Sequence, residues 1–465
     1  MRLENLRICS TSEFASATSS PLVVSDHKPW SAFPNDTTAQ ISSLVHRYQR
    51  SRRAIPVSFR KMVPWLKIGE RATHYLHPYP AKLLPHIAHF FLASDYLCPP
   101  GGLVLDPFGG SGTVALESCL SGRPALYADT NPLARLIAEA KVNIPQIGVL
   151  DLALEQLGVR FQRSRTIRHP PVVNIDKWFS PKVIRGLARL KSAISGESSP
   201  DVRRFLDVTF SATVRRVSNA DLRLSVPVLA KTPLTTATAE TVWKIFRDQF
   251  SANVKRIEEL TALCPAIPKF EIAGADARRL ISEAGGSLQP NSVDLVITSP
   301  PYAGAQKYIR ASSLSLGWLG IAGSGELKPL ENQTIGREHF PKNAIEMAAL
   351  TSVPAANRII EIVKKKNPTR AAICSTYINE MEEVIGQIYN VLKPAGYFIL
   401  VIGNNEVCGE KFLSSEYLHA IAINLGFQLK IKMVDEIKSR GLMTKRNKTA
   451  SMITREWVLV FRKEG

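Results

Sequence analysis

The sequence is short of the residues that would build a metal site or a disulfide framework. Its 465 residues include only six cysteines, which are scattered and form no Cys-x-x-Cys pair. Each cysteine is expected to be a small buried residue in a reducing compartment. His74 and His77 lie close together, but no further His, Cys or acidic cluster accompanies them. We therefore expect no metal.

Long hydrophobic runs and acidic residues are also lacking. No stretch approaches the roughly 18 uninterrupted apolar residues of a membrane-spanning helix, and the N-terminus has no basic-then-apolar signal pattern. There are 40 acidic residues against 59 Lys and Arg, which gives a formal charge of +19 and a pI near 9.7. We expect a cytoplasmic protein without membrane contact, and the charge favours a polyanionic partner such as nucleic acid.

A glycine-rich stretch, Leu103-Val-Leu-Asp106-Pro-Phe-Gly109-Gly110-Ser-Gly112-Thr113, is the most informative local pattern. An apolar run ends in an acid, passes through three close glycines and enters a segment with a helical apolar face. Such a loop lets the backbone approach a ligand, and the helix start offers free N–H groups. A second apolar run, Ala125-Leu-Tyr-Ala-Asp129, again ends in an acid, placed to accept hydrogen bonds from ribose hydroxyls.

A later apolar run, Leu295-Val-Ile, leads into Thr298-Ser299-Pro300-Pro301-Tyr302. Ligands bind open α/β sheets at the carboxyl ends of parallel strands. We therefore expect Asp106, Asp129, Asp276 and Ser299 to converge on one rim, because each follows a predicted strand.

Together these motifs resemble those of the amino-group DNA methyltransferases, which use S-adenosylmethionine. Asp106 to Thr113 resembles their cofactor motif I, Thr298 to Tyr302 their catalytic motif IV, and the His74 to Pro85 segment a motif that packs beside the methionine end of the cofactor. The resemblance implies that the catalytic residues are Ser299, Pro300, Pro301 and Tyr302. It implies that the cofactor-binding residues are Lys82, Asp106, Pro107, Phe108, Gly109, Gly110, Gly112, Thr113, Asp129, Asn131 and Asp276, the last near the adenine ring.

The predicted fold is α/β, a Rossmann-like class I methyltransferase with a mostly parallel sheet, a closing antiparallel hairpin and a largely helical insertion. The expected divisions are an irregular, basic segment (1–70), the cofactor part of the methyltransferase domain (71–147), a helical insertion that is a candidate target-recognition region (148–270) and the catalytic part (271–465). We also expect a mobile loop over 325–340, a turn at 393–396 and a basic loop at 438–448.

An exocyclic base amine is a poor nucleophile, so its methylation requires acceptors for its N–H groups and alignment with the methyl group. The Ser299 hydroxyl and the Pro300 carbonyl can supply the acceptors, the prolines restrict the backbone, and Tyr302 offers a face to an extruded base. Ser at the first position resembles the version common in cytosine-N4 enzymes, with adenine-N6 methylation as the alternative. Cytosine-C5 chemistry is disfavoured, because the chain has no Pro-Cys dipeptide.

Two other functions stay open. An RNA or tRNA guanine-N2 methyltransferase would share the fold and a similar Pro-Pro-Tyr motif, although it usually has Asp or Asn before the prolines. The second open function is that of a non-catalytic protein that binds nucleic acid and has a methyltransferase scaffold. The expected partners are DNA and, in a restriction-modification system, a cognate endonuclease.

Overall fold

The computed structural model describes residues 35–464, apart from residues 68, 70, 81, 166–169, 232–236, 283, 305, 306, 324, 341–344, 346–348 and 437–453. The strands are β1 (Ile55–Val57), β2 (Val104–Asp106), β3 (Ala125–Tyr127), β4 (Phe270–Ile272), β5 (Val293–Thr298), β6 (Leu392–Ile402), β7 (Asn405–Val407), β8 (Glu410–Phe412), β9 (Phe427–Glu436) and β10 (Arg455–Lys463). The helices are α1 (Thr38–Ser51), α2 (Phe59–Met62), α3 (Pro85–Leu92), α4 (Thr113–Leu120), α5 (Pro132–Val142), α6 (Leu150–Arg163), α7 (Ile175–Trp178), α8 (Pro181–Ser195), α9 (Pro200–Arg216), α10 (Ala239–Leu263), α11 (Tyr308–Leu319), α12 (Leu327–Gln333), α13 (Pro354–Lys366), α14 (Pro368–Val391) and α15 (Ser414–Asn424). Ala72–Tyr75 and Ile147–Val149 are short 3-10 helices.

Within the described residues, one mixed sheet has the strand order β4-β3-β2-β5-β6-β10-β9-β1. Neighbours from β4 to β6 are parallel, whereas β10 runs antiparallel to both β6 and β9. A mostly parallel sheet closed by an antiparallel hairpin is the arrangement expected of a class I methyltransferase. The predicted fold class is confirmed.

The sheet is buried on both faces because successive side chains of a strand point to opposite sides. In β6, Phe398 and Leu400 face the core formed with α13, α14 and α15, while Ile399 and Val401 face the core formed with α1, α3 and α4. The cores on the two faces of the sheet are therefore formed by alternate side chains of the same apolar strands.

The N-terminal segment differs from the irregular structure expected for it. Helix α1 buries Ile41, Leu44 and Tyr48, and β1 adds a parallel strand to the β9 edge of the sheet. Residues 1–34 lie outside the described residues.

Helices α6 to α10 lie between β3 and β4 and form a third core cluster with α5 and α11. Ser180 and Ser199 cap α8 and α9 through their side chains, each followed by a proline at the helix start. Helix α10 is 25 residues long, but no described helix is long and apolar enough to cross a membrane.

One local expectation for the second half was wrong, one agrees with the structure, and a third lies outside the described residues. Residues 325–340, expected to be a mobile loop, contain α12 and a segment held by ion pairs. The turn expected at 393–396 coincides with a break in the pairing of β6, where Ala395 has a positive φ and the register with β5 passes from Val293–Leu392 to Leu295–Tyr397. The basic loop at 438–448 is not among the described residues.

A buried carboxylate fastens the segment before α3 to the helix that follows the glycine loop. Glu117 of α4 accepts hydrogen bonds from Arg71 (2.9 and 3.1 Å), His74 (2.8 Å) and His89 (3.2 Å). Burial opposes its ionisation, yet the Arg71 guanidinium and the histidine hydrogen bonds hold the pKa of Glu117 well below its usual range. Burial also lowers the pKa of His74 to about 4, so His74 is a neutral donor here.

Removal of this charge should destabilise the protein, because it leaves the Arg71 guanidinium largely buried without its counter-ion. We predict that Glu117→Gln lowers the free energy of unfolding by about 3 kcal/mol, measured by urea denaturation at neutral pH. Glu139→Gln is the matched control, since Glu139 pairs with Arg204 at the surface and should contribute less than about 1 kcal/mol. Equal losses of unfolding free energy in the two variants would show that the Glu117 cluster contributes no more to stability than the Glu139 pair does.

Candidate active site

An open cleft lies at the carboxyl ends of β2, β3 and β5, with an empty volume of about 740 Å³. It is lined by Tyr79, Lys82, Leu83, Asp106, Phe108, Gly109, Gly110, Ser111, Thr113, Asp129, Thr130, Asn131, Ser299, Pro301, Tyr308, Ile309, Thr334 and Ile335. Most of the predicted site residues therefore meet in one place.

The glycines of the loop after β2 are required by close packing. A Cβ on Gly109 would overlap the ring of Tyr127, and Gly112 has φ +77° with a Cβ position only 2.9 Å from Ala138 Cβ. Gly112 is also the residue immediately before α4. The backbone thus turns tightly beside the cleft without side chains that would fill it.

Asp129 is fixed between the glycine loop and the start of α5. Its Oδ2 accepts from the Gly110 backbone N–H at 2.9 Å, and its Oδ1 accepts from the Asn131 N–H at 2.8 Å. Burial raises the pKa of Asp129 to about 6, although these two backbone donors favour the ionised form. The carboxylate is therefore held rigidly at the wall of the cleft.

Asp106 connects the glycine loop to the catalytic strand. Its Oδ1 accepts from the Thr298 hydroxyl at 2.6 Å and from the Phe108 N–H at 3.1 Å. Burial raises the pKa of Asp106 to about 7, an effect that the hydrogen bond from Thr298 partly offsets. Sequence reasoning selected Asp106 but gave no role to Thr298.

The stretch from Ser299 to Tyr302, predicted to be catalytic, is only partly exposed to the cleft. Ser299 and Pro301 line it, whereas Pro300 and Tyr302 are not among the lining residues. Tyr302 is half-buried, packs against the core beside β6 and α14, and donates its hydroxyl to Glu456 at 3.4 Å. Burial raises the pKa of Glu456 to about 6. The predicted role of Tyr302 in base stacking stays a prediction.

Asp276 is not among the residues that line the cleft. Its carboxylate is paired with the Arg278 guanidinium through several hydrogen bonds, the shortest 2.7 Å. Arg278 in turn contacts Glu380 of α14 at 2.6 Å. The expected place of Asp276 on the rim and near the adenine ring stays a prediction. Pro107 and Gly112 are likewise absent from the lining.

The segment before α3 closes the cleft on one side. Lys82 lines it while donating to the carbonyl oxygens of His74 and His77, each at 3.1 Å. Asn131 donates its side-chain amide to the Tyr79 hydroxyl and to Ser312 of α11, both at 2.9 Å. Asn131 also caps α5 through its side chain, which accepts from the Leu133 backbone N–H.

Sequence reasoning did not assign some lining residues to the site, namely Tyr79, Leu83, Ser111, Thr130, Tyr308, Ile309, Thr334 and Ile335. Tyr79 belongs to a stretch dense in aromatic residues, which could have marked it. Thr334 and Ile335 reach the cleft only through the path of the chain after α12, and no local pattern marks them.

Comparison with known proteins shows that the sequence is similar to those of DNA methylases. A family model described as DNA methylase matches residues 293–465. Type II methyltransferase M.MvaI of Kocuria varians is 26% identical over 357 residues, which cover 72% of this chain and 77% of that protein. Type II methyltransferase M.MjaII of Methanocaldococcus jannaschii is 35% identical over 69 residues, 15% of this chain and 13% of that protein.

Solved structures resemble the chain only distantly. A SAM-dependent methyltransferase from Methanosarcina mazei has a TM-score of 0.31 and 11% identity, covering 83% of this chain and 99% of that one. The fold assignment therefore rests on the strand order of this chain.

The raised pKa values of Asp106 and Asp129 predict a pH-dependent affinity for a cationic ligand. A cation favours the ionised form of a nearby carboxyl, so a bound cation must release the protons that these groups hold below about pH 7. We predict that the Kd for S-adenosylmethionine, which carries a sulfonium charge, rises as the pH falls from about 8 to about 5.5, measured by calorimetry.

The matched ligand is S-adenosylhomocysteine, which lacks the sulfonium charge and should show a weaker dependence. Asp106→Asn should flatten the part of the profile near pH 7. Identical profiles for the two ligands would show that these carboxyls do not sense the sulfonium.

Proposed function

We propose that this chain, which is similar to DNA methylases, is an amino-group DNA methyltransferase that transfers the methyl group of S-adenosylmethionine to the N4 amine of cytosine in DNA. The observation that supports this most is the cleft in which Asp106, Asp129 and the glycine loop face Ser299. Such an arrangement would set a cofactor site next to a site for the base amine.

The lining residues suit the cofactor. Gly110 leaves space for a close approach, since the nearest atom to an added Cβ is 4.0 Å away, and each Asp129 oxygen has lone-pair capacity beyond its one backbone hydrogen bond. The carboxyls of Asp106 and Asp129 supply negative charge for a cationic ligand. When bound, S-adenosylmethionine supplies an electrophilic methyl group on its sulfonium.

The catalytic stretch would act on the nucleophile. The Ser299 hydroxyl lies at the cleft, and together with the Pro300 carbonyl it can accept the N–H groups of a base amine. These acceptors draw the lone pair out of conjugation with the ring and orient it. The Asp106 to Thr298 hydrogen bond fixes the residue before Ser299, so the acceptors are held in place before substrate arrives.

Ser299 favours cytosine N4 over adenine N6 through the motif resemblance, and adenine N6 is the alternative base. Guanine N2 in RNA and a protein that binds nucleic acid without catalysis are the alternatives from other classes. M.MvaI and M.MjaII are both named type II methyltransferases, which supports a place in a restriction-modification system with a cognate endonuclease.

One experiment separates these functions. The protein is incubated with methyl-labelled S-adenosylmethionine and, separately, with genomic DNA and total RNA, and the products are digested to nucleosides. Label in N4-methylcytosine supports the proposal, and label in N6-methyladenine or in methylated guanine of RNA supports the corresponding alternative. Cofactor binding without transfer to either nucleic acid would favour the non-catalytic function.

Tyr302 provides a test of base positioning. If its ring stacks on an extruded base, Tyr302→Ala should lose about 1–3 kcal/mol of transition-state stabilisation, measured as kcat/KM for DNA, while Tyr302→Phe keeps most of it. Cofactor affinity should hardly change, because Tyr302 lies outside the lining of the cleft. Parental activity in the folded Tyr302→Ala variant would assign the ring to the core alone.

Several arginines of the helical insertion form hydrogen bonds or ion pairs within the protein. Arg203 donates to backbone carbonyls after α8, Arg204 pairs with Glu139, and Arg215 donates to carbonyls of the loop after α9. Other basic residues of the insertion are exposed and form no ion pair within the described part of the chain: Arg163, Arg165, Lys182 and Arg185. These four are the better candidates for contacts with phosphate.

We predict that Lys182→Ala with Arg185→Ala flattens the dependence of log K for DNA binding on log salt by about one to two units, measured by fluorescence anisotropy. Each contacted phosphate adds to that slope because its counterions are released. Lys364→Ala with Lys365→Ala on α13 is the matched control, since these lysines are exposed but lie outside the insertion. An equal change in both pairs would mean that only net charge matters.

A further inference from the structure

The end of α12 and the residues that follow it lie directly against the stretch from Ser299 to Tyr302. We call Gln333 to Glu338 the strap. Its Thr334 and Ile335 line the cleft, and Ile335 is buried. At Gly336, which has φ +74°, an added Cβ would lie 2.7 Å from the Tyr302 carbonyl oxygen and 3.4 Å from Pro301 Cβ. Only a residue without a side chain allows this approach.

Buried charges hold the strap in this position. The Glu380 carboxylate on α14 accepts from Arg337 of the strap at 2.8 Å and from Arg278 at 2.6 Å. Arg278 also donates to the Gln333 carbonyl at 3.1 Å. At the far end, Glu338 pairs with Lys307, which precedes α11, at 3.0 Å.

Glu380 is the centre of this arrangement. Its side chain is only 10% exposed, and it belongs to a helix packed in the core of the sheet. Two arginines from different segments, one after β4 and one in the strap, converge on it. Solvent screens an ion pair in such a site only weakly. Removal of one partner therefore leaves the remaining buried charges without a counter-ion.

We propose that the strap is a positioning element for methyl transfer, and that Glu380 is the positioning residue that holds it against Pro301 and Tyr302. This rests on the proposed function, since it gives the strap a role in aligning the acceptors of Ser299 and Pro300. Displacement of the strap removes the support behind the Pro301 and Tyr302 backbone. An error of about 1 Å in such alignment can cost on the order of 100-fold in rate.

Two variants disturb the strap by independent routes. Glu380→Gln keeps the shape of the side chain and removes the charge that Arg337 and Arg278 share. Gly336→Ala leaves these ion pairs intact and places a methyl group against the Tyr302 carbonyl. The controls are Glu361→Gln, an exposed acid on α13, and Gly409→Ala, a glycine with φ +83° and no atom within 4 Å of the added Cβ.

The first readout is amide hydrogen exchange over residues 325–340 in the absence of substrate. Faster exchange in both strap variants, and in neither control, supports the placement of the strap. Unchanged exchange would overturn it. This measurement does not depend on the activity of the protein.

The second readout is steady-state methylation of DNA at a temperature at which circular dichroism shows every variant folded. We expect kcat to fall about 10- to 100-fold in both strap variants, with a much smaller change in the KM for S-adenosylmethionine. Loosened strap residues with parental kcat would reduce the strap to a structural element and overturn the proposal. If the wild-type chain methylates no DNA, the proposed function fails, and with it the catalytic role of the strap.

Discussion

The candidate site depends on the hydrogen bond from the Thr298 hydroxyl to the Asp106 carboxyl, 2.6 Å long, between residues 192 positions apart. Strands β2 and β5 are neighbours in the sheet although the helical insertion separates them in sequence. Both residues are at the carboxyl ends of their strands, where parallel strands expose their ends to a common ligand. One bond therefore sets the glycine loop relative to Ser299, and its burial protects it from competition with water.

The helical insertion is compatible with this site because it packs beside the sheet and leaves the strand ends accessible. Its apolar residues share a core with α5 and α11 and with Leu76 and Tyr79 of the segment before α3. Asn131 then links three of these parts, since it caps α5 and donates to Tyr79 and to Ser312 of α11. The long interruption between β3 and β4 thus supports one side of the cleft.

Sequence reasoning succeeded where the structural signal is local. Apolar runs that end in an acid predicted β2 and β3. It failed where position depends on contacts between distant segments. The ion pairs of Arg337 and Glu338 order part of a segment expected to be a mobile loop, and apolar packing of α1 against the sheet orders part of a segment expected to be irregular.

Asp129 and Asp276 show that two acids that follow neighbouring strands can be held by different kinds of donor. Backbone N–H groups hold Asp129, and each donates to one oxygen, so each oxygen keeps lone-pair capacity. Asp276 is instead paired with Arg278, which approaches both of its oxygens and also contacts Glu380. An arginine two residues after an acid draws that acid into an ion-pair network, whereas backbone amides fix a carboxylate without adding a full positive charge. The donor nearest to the carboxylate therefore differs between two sequence patterns that look alike.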